Sequence, residues 1–458
     1  MIILPDNINK PLVAIYHGDR KIECVLVGTE LVWLEANLHG IRSASLCKTH
    51  SAFVLNNGTL WTCGSNLHGQ LCEVRPSGSW HTPNLAQVPG ITDAISVAVS
   101  CNVAGEGSTV VLREHGRLHS AGASPTLAVS ATQKIAYSAL GRQSVSGSPV
   151  FSNFAEVLGT YYVQKIWHGR GRLFIHRSDG VYGYGLDWDA NRATFQWMPV
   201  RDPGGKTLVC SDLSAHALSP AVLRSDGSVL LLGPIADWHR PQGFPNSQTN
   251  VLQPSLDDRF LDGIRKLTTG QSHLAAITGA GFLRTAGSDR YGQLCSVKYQ
   301  YRNPYRGYVL DDVPAADVAC GDNHTVILCR NGRVKTGGRN NRGQLGRAVP
   351  VGNGHDWLYF VGEDHVMQEG WYGNMDDIPE IDDAVAVYAG GDSTVIICRS
   401  GIVVCGDNEF GQLGVRTEKH FVNSSDRNSW RESWQGSRTP FLTNRQTANL
   451  FSDENLTT

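Results

Sequence analysis

Histidines, carboxylates, arginines and thiols are the groups through which this chain could do chemistry, and their spacing argues against most of it. Asp187-Trp188-Asp189-Ala190-Asn191 has the alternating oxygen donors that open a calcium loop. Arg192 stands where such a loop needs glycine, and Met198 where a bidentate glutamate should close it, so a plain turn is expected. His168-Gly169-Arg170-Gly171-Arg172 offers backbone amides and guanidinium groups to an anion, but it falls where an inner strand should begin, and a structural role is expected. Asp376, Asp377, Asp382 and Asp383 could pair for hydrolysis only against a facing polar wall, and none is evident. There is no His-Glu-x-x-His, Walker loop or nucleophile elbow. The 11 cysteines include no Cys-x-x-Cys pair; Cys63, Cys329, Cys398 and Cys405 fall in apolar runs, where a free thiol acts as a small hydrophobe. Cross-strand disulfides would require maturation outside a reducing cytoplasm. No catalytic residue, metal ligand or cofactor is assigned.

What positions these groups is a repeat. Gly-Gln-Leu occurs four times, closing TLWTCGSNLHGQLC (59–72), FLRTAGSDRYGQLC (282–295), RVKTGGRNNRGQLG (333–346) and IVVCGDNEFGQLG (402–414). The tripeptides are Gly69-Gln70-Leu71, Gly292-Gln293-Leu294, Gly343-Gln344-Leu345 and Gly411-Gln412-Leu413. Degenerate copies at 108–122, 172–185 and 220–233 keep the apolar run and the turn glycine but lack this ending. The turn glycines Gly58, Gly116, Gly180, Gly227, Gly281, Gly332 and Gly401 lie 47 to 69 residues apart, the length of four short strands with loops. Dense runs such as Phe53-Val54-Leu55 and Val326-Ile327-Leu328 suit strands buried on both faces. Asn56-Asn57-Gly58 and Arg330-Asn331-Gly332 suit tight turns. One hairpin cannot bury both faces alone, and a ring of seven units can close on itself without polar caps. His50, His273 and His324 recur at one position of the unit, which implies an internal hydrogen-bonding role. The fold expected is all-β: a seven-bladed propeller of four-stranded blades over 41–414, an N-terminal strand or hairpin segment over 1–40, and a polar tail over 415–458.

The repeat, with Gly64, Asn66, Gly69, Gln70 and Leu71 in one copy and Gly338, Asn340, Gly343, Gln344, Leu345 and Gly346 in another, resembles the regulator of chromosome condensation repeat. The resemblance covers roughly 41–414 and is strongest in the four copies that carry Gly-Gln-Leu. It implies seven-bladed propellers of four-stranded blades, chromatin binding in the founding member, and nucleotide exchange on small GTPases through a wedge-like insertion and one propeller face. Only the long spacer at 347–383 is a candidate for such a wedge. The Gly-Trp-Arg-His-Thr repeats of the family's ultraviolet photoreceptors are missing.

A net charge of −2 over 458 residues gives no electrostatic reason to expect nucleic acid or an anionic membrane, and the basic tail that chromatin binding would favour is missing. No apolar stretch approaches the ~18 residues of a membrane span. The N-terminus lacks the basic and apolar regions of a signal peptide, so the sequons at Asn57 and Asn323 read as turn chemistry. Residues 21–35 read as a hairpin, Cys24 to Val27 and Leu31 to Trp33 about a Gly28-Thr29-Glu30 turn. Such a segment could complete the blade at the other terminus, hiding an edge. It also resembles short modules near the ends of tailed-phage virion proteins. The tail carries Trp430 and Trp434, costly to leave exposed, and is expected either to stay loose or to dock. The loop at 355–383 sets Trp357, Tyr359, Phe360, Trp371 and Tyr372 among acidic residues, the make-up of an interface anchor or of an outer strand. NPYRGY (303–308) is a smaller loop of the same kind.

The function expected from these observations is binding of protein without enzymatic activity. The leading expectation is a structural or adsorption component of a tailed-phage virion (tail, baseplate, fibre or capsid-associated), assembled in the host cytoplasm. Its partners would be other virion subunits or copies of itself, with no nucleic acid and no membrane insertion. The alternative is a soluble cytoplasmic propeller similar to the guanine-nucleotide exchange factors of small GTPases.

Overall fold

The computed structural model describes residues 40–72, 81–101, 106–123, 150–157, 160–169, 172–184, 197–202, 204–215, 220–231, 263–289, 291–295, 307–340, 342–347, 372–399 and 401–414. It also describes short strands at 15–17, 20–22, 24–27, 30–34, 126–128 and 134–136. One 3-10 turn, Glu114–Gly116, is the helical element among the named ones; the rest are strands.

The apolar runs form antiparallel meanders. The first sheet orders Ile41–Leu46, His50–Leu55, Leu60–Ser65 and His81–Gln87. The second holds Ala94–Cys101, Gly107–Arg113, Leu118–Ala123 and Val150–Glu156; the third holds Lys165–Gly169, Arg172–Arg177, Gly180–Tyr184 and Trp197–Pro199. The fourth holds Asp212–Ser214, Ala221–Leu223 and Val229–Leu231, and the sixth Ala384–Gly390, Ser393–Cys398 and Gly401–Gly406. Between these two lies a fifth sheet of seven strands, from Ile264–Thr269 to Tyr372–Asp377.

All seven turn glycines have positive φ, from +70° at Gly116 to +151° at Gly401. At Gly332 (φ +81°) a Cβ would also lie 2.3 Å from the Asp382 carbonyl oxygen of the next unit, so both backbone and space require glycine there.

The sheets stand around an axis. Ile41–Leu46 packs beside Ala94–Cys101, followed in turn by Lys165–Gly169, Asp212–Ser214, Ile264–Thr269, the Gly307–Cys320 strand and Ala384–Gly390, which returns to Ile41–Leu46. The core consists of the seams between neighbours. The closing seam sets Ile41, Leu46, Phe53 and Trp61 against Val385, Val395 and Ile397. The all-β propeller is as expected.

The blade count is corrected. The expected seven four-stranded blades are replaced, among the described residues, by five separate sheets of three or four strands and one seven-stranded sheet. The fusion has a local cause. Gly307–Cys320 is one unbroken strand: Leu310 pairs with Leu283 as the outer edge of one meander, while Val318 pairs with Ile327 as the inner edge of the next. The fourth and sixth sheets have no fourth strand among the described residues.

In the N-terminal segment Cys24 lies opposite Leu34 and Val27 opposite Glu30; among the described residues this ladder pairs with no other strand and adds none to the sixth sheet. Closure comes from side chains and turns instead: Ser51 Oγ donates to the Gln412 carbonyl (2.7 Å) and Gln412 Nε2 to that of Lys48 (3.0 Å).

Candidate functional site

In a four-stranded meander the first-to-second and third-to-fourth connections emerge at the same end. Here that end carries two concentric sets of turns. The inner set caps the axis and comprises Cys47-Lys48-Thr49, Gly270-Gln271-Ser272, Gly321-Asp322-Asn323 and Gly391-Asp392. The outer set is the four Gly-Gln-Leu turns.

The Gly-Gln-Leu turns are interlocks, and two hydrogen bonds recur in all four copies. An Asn or Asp oxygen accepts from the leucine amide: Asn66 to Leu71 (3.0 Å), Asp289 to Leu294 (2.9 Å), Asn340 to Leu345 (3.0 Å) and Asn408 to Leu413 (2.9 Å). The glutamine Oε1 accepts from the amide two residues before it, at 2.7 to 2.9 Å, in all four. The leucines are buried, each contributing about 2 kcal/mol by transfer from water. These residues hold the end rigid and offer little to a partner.

Behind the inner turns runs a second repeated device. His50 Nε2 lies 3.0 Å from Thr109 Oγ1, which donates at 2.6 Å to the Gln70 carbonyl. His273 reaches Thr325 (3.0 Å) and through it the Gln293 carbonyl (2.7 Å); His324 reaches Thr394 (2.9 Å) and the Gln344 carbonyl (2.8 Å). Each relay spans two units. Because the threonine spends its proton on a carbonyl, it accepts from the imidazole, so Nε2 carries the hydrogen and Nδ1 is bare. Burial pushes His324 down to about 4 against the opposing charge of Asp392, and it is neutral at pH 7. The expectation of an internal hydrogen-bonding role for these histidines is thus met.

The inner turns touch one another around the mouth. Gln271 N donates to the Asp322 carbonyl (2.9 Å) and Asp322 N to that of Gly391 (2.7 Å). Lys48 N donates instead to a side chain, Cys101 Sγ (3.2 Å). Cys47 Sγ lies 3.1 Å from His50 Nδ1. The surface is polar and of mixed charge, with Lys48 exposed and Gln271, Asp322 and Asp392 partly so. Gln344 Nε2 holds Asp392 Oδ1 at 2.8 Å, which ties the inner set to the outer. The opposite end is more apolar: Tyr161, Tyr162 and Val209 are exposed on links between sheets.

Sequence reasoning passed over Cys47 and Cys101. The signal available was within the repeat itself, since Cys47 occupies the place of Gly270, Gly321 and Gly390. Of the residues proposed as interface anchors, Trp357, Tyr359, Phe360, Trp371, Trp430 and Trp434 lie outside the described residues, as do Asp187 to Asn191. Tyr372 opens the Tyr372–Asp377 strand opposite Arg339, so part of the long spacer is an outer strand. Asp377 is ion-paired with Lys335 (3.0 Å) and lies 3.4 Å from Arg333, and His168 bonds Ser108 Oγ (2.7 Å); neither is free for hydrolysis or anion binding. The described residues hold no His, Cys, Asp and Glu cluster fit for a metal. Ten cysteines are free thiols.

The class these features define is an all-β propeller, and residues 315–344 match the family model of the regulator of chromosome condensation (RCC1) repeat. The chain is 26% identical to the X-linked retinitis pigmentosa GTPase regulator homolog of Caenorhabditis elegans over 68% of its own length and 21% of the relative's. It is 24% identical to the secretion-regulating guanine nucleotide exchange factor of Bos taurus over 81% of its length and 67% of the relative's. The fold is that of human WBSCR16, with a TM-score of 0.58 at 16% identity, covering 78% of this chain and 87% of the other. The chain therefore spans about a fifth of the nematode relative and about two thirds of the bovine one.

These likenesses overturn the expectation of a tailed-phage virion component, together with its particle location and virion-subunit partners. The relatives are a GTPase regulator and an exchange factor. The Gly-Thr hairpin that suggested a virion is a short ladder of a kind any β-protein can form, and it carries no information about biological setting.

Proposed function

We propose that this protein is a non-hydrolytic regulatory propeller that docks a small GTPase against the turn-bearing end of the ring and promotes guanine-nucleotide exchange on it. The observation that carries this reading is the likeness to an exchange factor over 81% of the chain. In this reading the seven-stranded sheet counts as two blades, so that seven units surround the axis.

The turn end is the favoured face because its interlocked turns are rigid and polar, the properties of a preorganised docking surface. In sequence, residues 348–371 follow the Gly-Gln-Leu turn at 343–345, which lies at this end, and precede Tyr372. Trp357, Tyr359, Phe360, Trp371 and Tyr372 are proposed as partner anchors, with Trp430 and Trp434 of the 415–458 segment as a second contact.

The test is release of a fluorescent guanosine diphosphate from small GTPases representing each subfamily, with and without the purified chain. Release from one of them should accelerate in proportion to the chain's concentration, and changing Trp357 and Phe360 to Ala should remove the effect while the fold survives. If no subfamily shows accelerated release or binding, the reading fails.

A further inference from the structure

We propose that Cys47 and Cys101 form a peroxide-oxidisable thiol pair that closes into a disulfide between the mouth turns of the first two sheets. This goes beyond the exchange reading and does not depend on it.

The geometry supplies each part such a pair needs. Cys47 Sγ lies 3.1 Å from His50 Nδ1. That nitrogen is bare, because the Gln70 carbonyl takes the Thr109 proton and Thr109 takes the His50 Nε2–H. The imidazole is therefore fixed as an acceptor for the Cys47 thiol proton, an orientation that two neighbouring units jointly enforce. Cys101, at the end of the second sheet's inner strand, meets the turn that carries Cys47 across the seam: its sulfur accepts from the amide of Lys48, the residue bonded to Cys47. That bond (3.2 Å) stands in the place where the other mouth turns use a carbonyl. Cys47 is buried, whereas Cys101 is partly open to solvent, so a molecule as small as hydrogen peroxide can approach from the mouth.

The electrostatics separate this pair from the other thiols. Burial raises Cys47, but the hydrogen bond from Cys101 and the charge on His50 outweigh it and hold the thiol well below its ordinary value. The hydrogen bond to Cys47, then burial, hold Cys101 well above its own. Cys210, Cys320 and Cys405 are pushed up to about 12, mainly by burial, and stay protonated and inert.

The chemistry balances. Cys47 gives its proton to His50 Nδ1, and the thiolate attacks one peroxide oxygen. The O–O bond breaks, and the departing hydroxide takes the proton from His50 and leaves as water. Cys47 is now a sulfenic acid. With Cys47 oxidised, the contact that held the Cys101 proton is gone; Cys101 passes that proton to the again bare His50 Nδ1, its thiolate attacks the Cys47 sulfur, the S–O bond breaks, and the departing hydroxide takes the proton from His50 as a second water. Two thiols lose two electrons, and peroxide is reduced to two waters.

The experiment uses the full chain with hydrogen peroxide, followed by alkylation and peptide mapping without reductant. The expected product joins the peptide ending at Lys48 to the one containing Cys101, and Cys47 should be consumed at least roughly tenfold faster than Cys320 or Cys405. In Cys101→Ser, which needs no resolving thiol for the first step, Cys47 should instead accumulate as a sulfenic acid trapped by dimedone. His50→Gln should slow the loss of Cys47 by a comparable factor. Two results would overturn the proposal: Cys47 reacting no faster than Cys320 in the wild-type chain, or Cys47 passing to higher oxides with no Cys101 cross-link. The wild-type readout stands even where a variant fails to fold.

Discussion

The first and the sixth repeating units share one backbone plan and differ in the residue that faces their histidine. In the unit at 47–50 the turn reads Cys-Lys-Thr-His; in the one at 321–324 it reads Gly-Asp-Asn-His. Both histidines spend Nε2 on a threonine of the next unit and, through it, on a glutamine carbonyl. At His324 the turn glycine leaves Nδ1 buried and without a hydrogen-bond partner. At His50 a thiol fills that place. Room for it comes from the neighbour, since a Cβ on Gly107 would come within 3.0 Å of the His50 ring, whereas the matching position beside His324 is Asp392. A single relay therefore serves as inert framework in one unit and as a proton acceptor for a reactive thiol in the other. The difference lies in which side chain is omitted, Gly321 on one side of the ring or Gly107 on the other.

The strongest way to break this comparison is to move the thiol. Gly321→Cys places a Cβ 2.0 Å from His324 Cε1 and 2.8 Å from the Gly391 carbonyl oxygen, contacts that only a displaced ring or turn can relieve. Overpacking of this kind, with the relay broken, should cost about 3 kcal/mol in urea unfolding. A loss below about 1 kcal/mol would show that the sixth unit can adopt the first unit's arrangement and that Gly107 is not what permits it.

Next in size is a pH effect confined to the sixth unit. His324 titrates near 4 when folded, against about 6.5 when unfolded. Its neutral form is favoured by the fold, so the stability it confers is complete above about pH 6.5 and is lost as the pH falls toward 4. Between pH 7 and pH 5 the loss from this residue should be about 2 kcal/mol. His324→Gln should lower stability at pH 7 and flatten this dependence. An equally steep dependence in the variant would assign the effect to other groups.

How much of this could be read in the sequence follows from what repetition exposes. Gly58, Gly332 and Gly401 were identified as turn residues because copies aligned, and the backbone confirms each with a positive φ. The shared position of His50, His273 and His324 gave the internal role correctly. The fused sheet was not legible, because whether an outer strand stops before the next inner strand depends on a link as short as Val313 and Pro314, and strand-forming residues fill both sides. The thiol pair was hidden for another reason. Cys101 is 54 residues from Cys47, and only ring packing brings the ends of two inner strands together, so no local motif encodes it. Cys47 was nonetheless visible as the one departure from glycine among the four inner turns. The virion expectation fails because a hairpin of common composition says far less about setting than a repeat present in four clear copies.

Two smaller substitutions sharpen the comparison from the first unit's side. Gly107→Ala should push the His50 ring toward Cys47, at a cost of about 1.5 kcal/mol, and should change the rate at which iodoacetamide modifies Cys47. Unchanged stability and reactivity would mean that the ring does not need the space at Gly107. The smallest effect belongs to Cys47→Gly, which restores the glycine of the other three turns. The backbone there already accepts a side chain, so the change adds freedom to the unfolded chain and removes one small buried side chain from the core between the first two sheets, about 1 kcal/mol in all. The His50–Thr109–Gln70 relay should survive, because none of its bonds passes through the sulfur. Hydrogen exchange at the Gln70 and Thr109 amides would test this directly. Protection equal to that in the wild-type chain would establish the relay as framework and the thiol as an addition to it. A collapse of protection in both units would mean that Cys47 holds the seam, and that the first unit is not the sixth unit's frame with a reactive group set into it.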